Sequence, residues 1–419
     1  MTSYKSKYLP WLMWVLPLLF FTYQFILRLW PGLMMQSIMT QFSIDATQFG
    51  FIAAVYYYGY AGMQIPVAFL LDRFGTRQVI CFFAILCGLA TLLFTYTNNW
   101  YLACLSRFLV GAGSAVGFLG VSKVLSQWFP RTQYTRMIGY SFTVGLLGAI
   151  YGGKPISLLI EHYSWQQVAL CLALLSLLIG VAAYLVLRSP DKSVQTEQST
   201  EFKLVYFKSL LCSPALWVLA LANLFMVGSL EGFSDVWGVP YLMKAYSIDK
   251  SEAAELISLV FVGMLFGGPI LAALSKRCGN YVVISLCGLC MAAAFLLLLF
   301  MSSNYHWWSL AALFFVIGVL CCYQVIVFAA GSELVAAQYL GVTVAFLNCI
   351  NMLGGSFFHT TIGYVMDFFW AGEWSTAGVK VYSLSAYQNA LLVIPVCACI
   401  GAIMVTVLGY QRSQKQLAV

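Results

Sequence analysis

Runs of about 20 apolar residues, the length an α-helix needs to cross roughly 30 Å of hydrocarbon, recur from one end of this chain to the other. Twelve can be marked, at approximately 11–36, 47–70, 77–97, 99–123, 136–159, 166–187, 214–237, 252–275, 280–301, 307–331, 341–367 and 385–409. Backbone polar groups in lipid must be satisfied within their own segment, and no alternating ten-residue strand pattern competes, so the runs predict an all-α integral membrane protein. Composition agrees: 8% of residues are charged, where a soluble domain carries about a quarter, and the mean hydropathy is +0.88. That excludes a water-soluble enzyme. The basic residues behind the net charge of +7 sit in short loops between apolar runs, which argues for topology and against nucleic acid. Lys5 and Lys7 precede an apolar run that continues to about Met35, too long for the core of a cleavable signal peptide. The 13 cysteines lie in apolar stretches or at the cytoplasmic edge and read as small hydrophobes, with no disulfide framework expected.

With the N-terminus in the cytoplasm, fifteen of the 21 Lys and Arg fall on the cytoplasmic side, and Lys244, Lys250 and Lys380 fall outside. The other three, Arg28, Arg107 and Lys154, lie within helices. The bias predicts that both termini are cytoplasmic, in a bacterial inner membrane. The longest polar interruption, Arg188 to Glu201, divides the runs six and six. The expected domains are therefore an N-terminal six-helix bundle over 1–189, a cytoplasmic linker over 190–213, and a C-terminal six-helix bundle over 214–419. Within the linker, 202–211 reads as an amphipathic segment whose Lys203 and Lys208 face headgroups. The halves also match each other. Gly139 is followed by Gly152–Gly153 at the offsets that separate Gly341 from Gly354–Gly355, and DRFG from Asp72 has its counterpart in KRCG from Lys276. Two matches at equivalent positions support a duplicated six-helix unit.

The stretch AFLLDRFGTR, Ala68 to Arg77, resembles the cytoplasmic signature of the major facilitator superfamily, with Asp72, Arg73, Gly75 and Arg77 in register and Ala68 in place of the leading Gly. RFLVGAGSA, from Arg107, is similar to the superfamily's fourth-helix signature. The exporter signature of the fifth helix is only half present: Gly148, Gly152 and Gly153 stand without the kinking proline, which lowers the expectation of proton-antiport efflux. MQIPVAFLLDRFG from Met63, WGVPYL from Trp237 and NMLGGSFFHTTIG from Asn351 look like the bacterial phagosomal nutrient transporter branch. The resemblance implies a major facilitator fold, a cytoplasmic gate at Asp72, Arg73 and Arg77, a coupling role for Arg107, and uptake of amino acids or nucleosides, or of siderophores as in related facilitators. Against that branch, Gln24 with Arg28, Lys154 and His359 make three positions more basic, so its specificity does not transfer directly.

Ionisable groups inside a membrane helix are costly and call for a function. Arg28, Lys154 and Glu231 each fall about 24–26 Å along their helices from the cytoplasmic start, at 1.5 Å per residue, and Asp235 lies nearer the outer rim. Gln24, one turn from Arg28, and Tyr23 make a polar cluster there. Arg28 and Lys154 are expected to bind the anionic group of a small solute, with Gln24, Tyr23 and His359 beside it. Glu231, Asp235, Arg107 and His359 are the candidates for proton coupling. Tyr56, Tyr57, Tyr58 and Tyr323 are further candidates to line the cavity.

The chain thus reads as a secondary transporter that works by alternating access and takes up a small organic anion or amino acid with protons. No cofactor or metal is expected, and its partners are the solute, protons and lipid, acting on a monomer. Proton-antiport export of a metabolite or siderophore, uniport or exchange, and a non-transporting nutrient receptor on the same scaffold are the open alternatives.

Overall fold

The computed structural model describes residues 8–188, 212–301, 306–336 and 340–417. The expected amphipathic segment with Lys203 and Lys208, most of the 190–213 linker, and Lys5 and Lys7 lie outside the described residues.

Before residue 189 the helices are α1 (Leu9–Leu33, continued by a short helix Met35–Phe42), α2 (Ala46–Phe74), α3 (Thr76–Tyr96), α4 (Trp100–Trp128), α5 (Thr132–His162) and α6 (Trp165–Val186). After residue 211 come α7 (Pro214–Tyr246), α8 (Lys250–Cys278), α9 (Asn280–Phe300), α10 (Trp307–Ser332), α11 (Gly341–Phe368) and α12 (Leu384–Gln414). Eleven of them are long and apolar enough to cross a membrane among the described residues. The twelfth, α2, is 29 residues long, about 43 Å at 1.5 Å per residue, and is made less apolar by four tyrosines, Gln64, Asp72 and Arg73.

Local sequence sets the ends. Asp45 caps α2 by accepting from the Gln48 backbone while the Gln48 side chain returns to the Asp45 N–H, and Ser164 with Gln167 does the same for α6. The duplicated unit is visible in the geometry. Helices α2 and α8 are both 29 residues long, and each ends at a glycine with positive φ, Gly75 at 80° and Gly279 at 88°. A side chain at either position would be strained, and the chain turns there directly into α3 and α9. α5 breaks at Gly153 despite lacking the exporter proline. Pro155 has no N–H to continue the ladder, so a new helical segment starts at Lys154.

The two halves meet tightly at one end and part at the other. Near Asp367, α2 and α11 cross backbone against backbone: a Cβ on Gly50 would collide with the His359 carbonyl, and one on Gly363 with the Ala46 carbonyl. At the same end α5 packs on α8, with Ser258 donating to the Ile150 carbonyl at 3.4 Å. Toward Asp72, glycines on these four helices, Gly62, Gly139, Gly268 and Gly341, face open space: beyond their own local helix backbone, no atom lies within 4 Å of where a Cβ would sit. The molecule is closed at the Asp367 end and splayed at the Asp72 end.

Candidate functional site

Arg28 of α1 reaches across to α7 and is held there by two carboxylates. Its Nε donates to Asp235 Oδ2 at 2.5 Å, one Nη to Asp235 Oδ1 at 3.1 Å, and the same Nη lies 2.7 Å from Glu231 Oε2. The acids are four residues apart, so they share a helix face. Their helix is locally a π-helix from Gly228 to Trp237, and Ser234 donates to the Ser229 carbonyl across the widened turn at 2.8 Å. Such insertions are frequent at functional sites because they re-aim side chains and loosen the backbone ladder. Both carboxylates are buried and the Arg28 side chain is 11% exposed. The Tyr57 hydroxyl, from α2, donates to Asp235, and its ring lies 5.4 Å from the ring of His359 in α11. The cluster therefore joins α1 and α2 of one half to α7 and α11 of the other.

Arg107 supports the cluster from behind. Pro31 has no N–H, so the Leu27 carbonyl four residues earlier loses its helical donor, and Arg107 supplies one at 2.9 Å. Its guanidinium lies 5.0 Å from the Tyr56 ring, and its Nε has no hydrogen-bond partner.

Not every residue singled out in the sequence joins this cluster. Gln24 is buried against Gly117 of α4 with its Oε1 unpaired. Tyr23 turns away and donates to the Leu172 carbonyl of α6 at 2.6 Å. His359 is buried, with no partner for either ring nitrogen. Lys154 pairs with Glu255 of α8 at 2.7 Å, both side chains about 40% exposed, so it bridges the halves beside the cluster. The signature residues face their own half: Asp72 pairs with Lys123 at 2.5 Å, Arg73 lies over Phe74, and Arg77 donates to the Tyr184 carbonyl at 2.6 Å.

Sequence reasoning missed a second inter-half junction at the closed end. Asp367, at the end of α11, accepts from the Thr47 N–H at 2.7 Å, the Thr47 hydroxyl at 2.5 Å, the Tyr382 hydroxyl at 2.6 Å and Lys380 at 2.9 Å. Lys380 also reaches Asp45 at 3.3 Å, and the Tyr382 hydroxyl accepts from the Ala46 N–H at 2.9 Å. The free N–H groups of the α2 N-terminus are thus satisfied by the other half of the chain. Partial burial works to lower the Lys380 pKa, but the hydrogen bond and charge of Asp367, with the charge of Asp45, hold it above its ordinary value. The sequence signal was a carboxylate at a helix end followed within sixteen residues by Lys and Tyr, which by itself looks like any polar loop.

Two matching sets of six helices, a buried ion cluster at their seam, and one end closed while the other is splayed are the features of a multi-pass membrane transporter. The chain belongs to the Major Facilitator Superfamily, whose family description matches residues 14–359. It is 24% identical over 305 residues to the hexuronate transporter of Escherichia coli K12, covering 67% of this chain and 69% of that one. It is also 24% identical over 274 residues to the probable galactarate/D-glucarate transporter GudP of Bacillus subtilis, covering 58% and 60%. The chain spans 34 to 72% of the length of curated relatives of this kind. Its fold is similar to that of a bacterial homologue of the human lysosomal transporter Spinster in an inward-facing, occupied conformation, with a TM-score of 0.73 at 18% identity, covering 97% of this chain and 98% of that one.

Proposed function

We propose that this protein takes up a small organic anion together with a proton, by rocking its two six-helix halves about the seam. The observation that carries this reading is the pairing of Arg28 with Asp235 and Glu231 across that seam. A proton on the acid pair removes one of the two charges that hold Arg28, and the guanidinium then takes the solute's carboxylate as a bidentate partner in its place. With the proton bound, Arg28 faces one remaining carboxylate and that of the solute, two negative groups as before; without it, the anion adds a third negative group to one guanidinium. Binding of the two is therefore cooperative, which is the thermodynamic condition for symport.

The sidedness follows from charge. Lys and Arg are concentrated at the Asp72 end, which we assign to the cytoplasm. The conformation described then has the outer end latched and the inner end splayed, with the acid pair back on Arg28, as expected once solute and proton have left. Relatives named for hexuronate and for galactarate and D-glucarate support an anionic solute. An inward proton also offsets the solute's negative charge against an inside-negative potential. Lys154, held by Glu255, serves the closure of the outer end in this scheme.

The experiment is ligand-induced thermal stabilisation of the purified protein with amino acids, nucleosides and mono- and dicarboxylates, followed by uptake into proteoliposomes under an imposed pH gradient. Carboxylates are expected to stabilise the native protein but not Arg28→Gln, and uptake is expected to rise with an acidic exterior. Stabilisation of both forms alike by nucleosides or cations would reject the assignment.

A further inference from the structure

On the Asp72 side of the charged cluster, two buried amides and one nitrogen of a third, partly exposed amide are left without hydrogen-bond partners. Asn223 of α7 and Asn351 of α11 are fully buried, and neither the nitrogen nor the oxygen of either amide has a partner. The Nε2 of Gln324 in α10 is also unpaired. The three helices meet here: the Tyr323 hydroxyl, next to Gln324, donates to the Asn223 backbone carbonyl at 3.1 Å, and a Cβ on Gly354 of α11 would lie 2.9 Å from the neighbouring Leu224 carbonyl. Gly354 faces α7, while Gly355 faces the Tyr57 ring of α2, where a Cβ would come within 2.6 Å. Asn351 lies one turn before both, so it is directed at the seam between α7 and α2, the seam that also holds Arg28 and Tyr57.

Spacing links these amides to the cluster. Asn223 is eight residues from Glu231, and Asn351 eight from His359. At 1.5 Å per residue, both amides lie about 12 Å toward the Asp72 end. Gln24, with its own unpaired Oε1, is one turn from Arg28, roughly 6 Å along the same path. An extended six-carbon chain measures roughly 6 Å between its end carbons, and a hydrogen bond of about 2.9 Å at each end completes the distance.

The chemistry narrows the occupant further. An amide whose donor and acceptor are both free is matched by a group that also donates and accepts, and a hydroxyl is such a group. A site that leaves buried amides unpaired discriminates strongly against analogues lacking the hydroxyls.

We propose that Asn223, Gln324 and Asn351 form a second subsite for hydroxyl groups of the solute, so that the carried anion is a polyhydroxylated carboxylate with its carboxylate on Arg28 and its hydroxyls on the C-terminal half. The proposal rests on the anion reading of Arg28, and the test separates the two.

Equilibrium binding to the purified full chain is measured with galactarate, galacturonate, adipate and galactitol, on the native protein and on Asn223→Leu and Asn351→Leu. Adipate keeps the length and both charges of galactarate without hydroxyls, and galactitol keeps the hydroxyls without charge. A hydroxylated acid is expected to bind at least tenfold tighter than adipate, and either leucine variant is expected to shrink that ratio to within about threefold while adipate affinity holds. Equal binding of adipate and the hydroxylated acids, or a hydroxyl preference that survives in the leucine variants, overturns the subsite. Binding of galactitol without any carboxylate keeps the subsite and rejects the role of Arg28, and no binding of any of the four rejects both. Should a leucine variant fail to fold, Gln324→Leu, at a partly exposed position, carries the same comparison.

Discussion

Arg28 and Asp235 meet from opposite halves of the chain through two parallel hydrogen bonds, Nε to Oδ2 at 2.5 Å and Nη2 to Oδ1 at 3.1 Å. The first helix of each half is thereby fastened to the other at a buried point where neither charge is tolerated alone. Arg28→Gln leaves two buried carboxylates facing each other, and breaking a buried pair in this way costs about 3–5 kcal/mol. The expected result is a lower Tm for Arg28→Gln, with stability largely recovered in the double variant Arg28→Gln/Asp235→Asn. A double-mutant cycle at neutral pH measures the coupling, and additivity of the two changes would mean that the pair is not formed in solution.

Glu231 and Asp235 differ in surroundings, since Asp235 also accepts from Tyr57. Glu231→Gln keeps the shape and removes one titrating site, so solute exchange down a gradient is expected to persist while proton-driven accumulation falls at least tenfold. Counterflow and pH-driven uptake in the same proteoliposomes distinguish these. Full accumulation in the variant would assign the proton elsewhere.

At the opposite edge of the seam, Asp367 collects four hydrogen bonds, two of them from Thr47 of the other half. Asp367→Asn weakens this junction and is expected to favour opening of that end by about 1 kcal/mol, the net scale of one ordinary hydrogen bond. A cysteine in place of Ser356, which is buried between α11 and α2, reports the change: its labelling by an impermeant maleimide should rise about fivefold. Lys380→Gln should do less, because that ion pair is partly exposed.

Asp72 pairs with Lys123 within its own half, with side-chain exposures of 55% and 32%. Asp72→Asn should therefore change Tm little, within the roughly 0–1 kcal/mol of an exposed pair. If the residue closes the cytoplasmic end in the alternate state, uptake falls about tenfold while ligand-induced stabilisation is kept. An unchanged uptake rate would make the motif a turn element only.

Lys154→Gln loses a half-exposed pair with Glu255, so solute affinity is expected to stay within about twofold of the native value. Isothermal titration decides this. Loss of binding in the variant would place Lys154 at the solute with Arg28, as its depth in the sequence first suggested.

Much of this protein is legible in its residues. Helix number and length follow from apolar runs because a bilayer leaves the backbone no alternative to helices, and the cost of a buried charge makes Arg28, Glu231, Asp235 and Arg107 conspicuous without any fold. Gly75 and Gly279, matched in DRFG and KRCG, mark the same turn in each half because only glycine takes that positive φ without strain.

Pairing is a different matter. Depth along the helix put Lys154 beside Arg28, yet it meets Glu255, an acid in the opening turns of α8 where a carboxylate ordinarily complements the helix N-terminus. Asp367 looked like a loop residue, and only the crossing of α2 over α11 turns it into a partner for Thr47 from 320 residues away. Sequence fixes how deep each group sits, because rise per residue is nearly constant. Which groups meet depends on the rotation and tilt of each helix against its neighbours. Those are set by close contacts such as Gly50 on His359 and Gly363 on Ala46, which exist only once all twelve helices have packed.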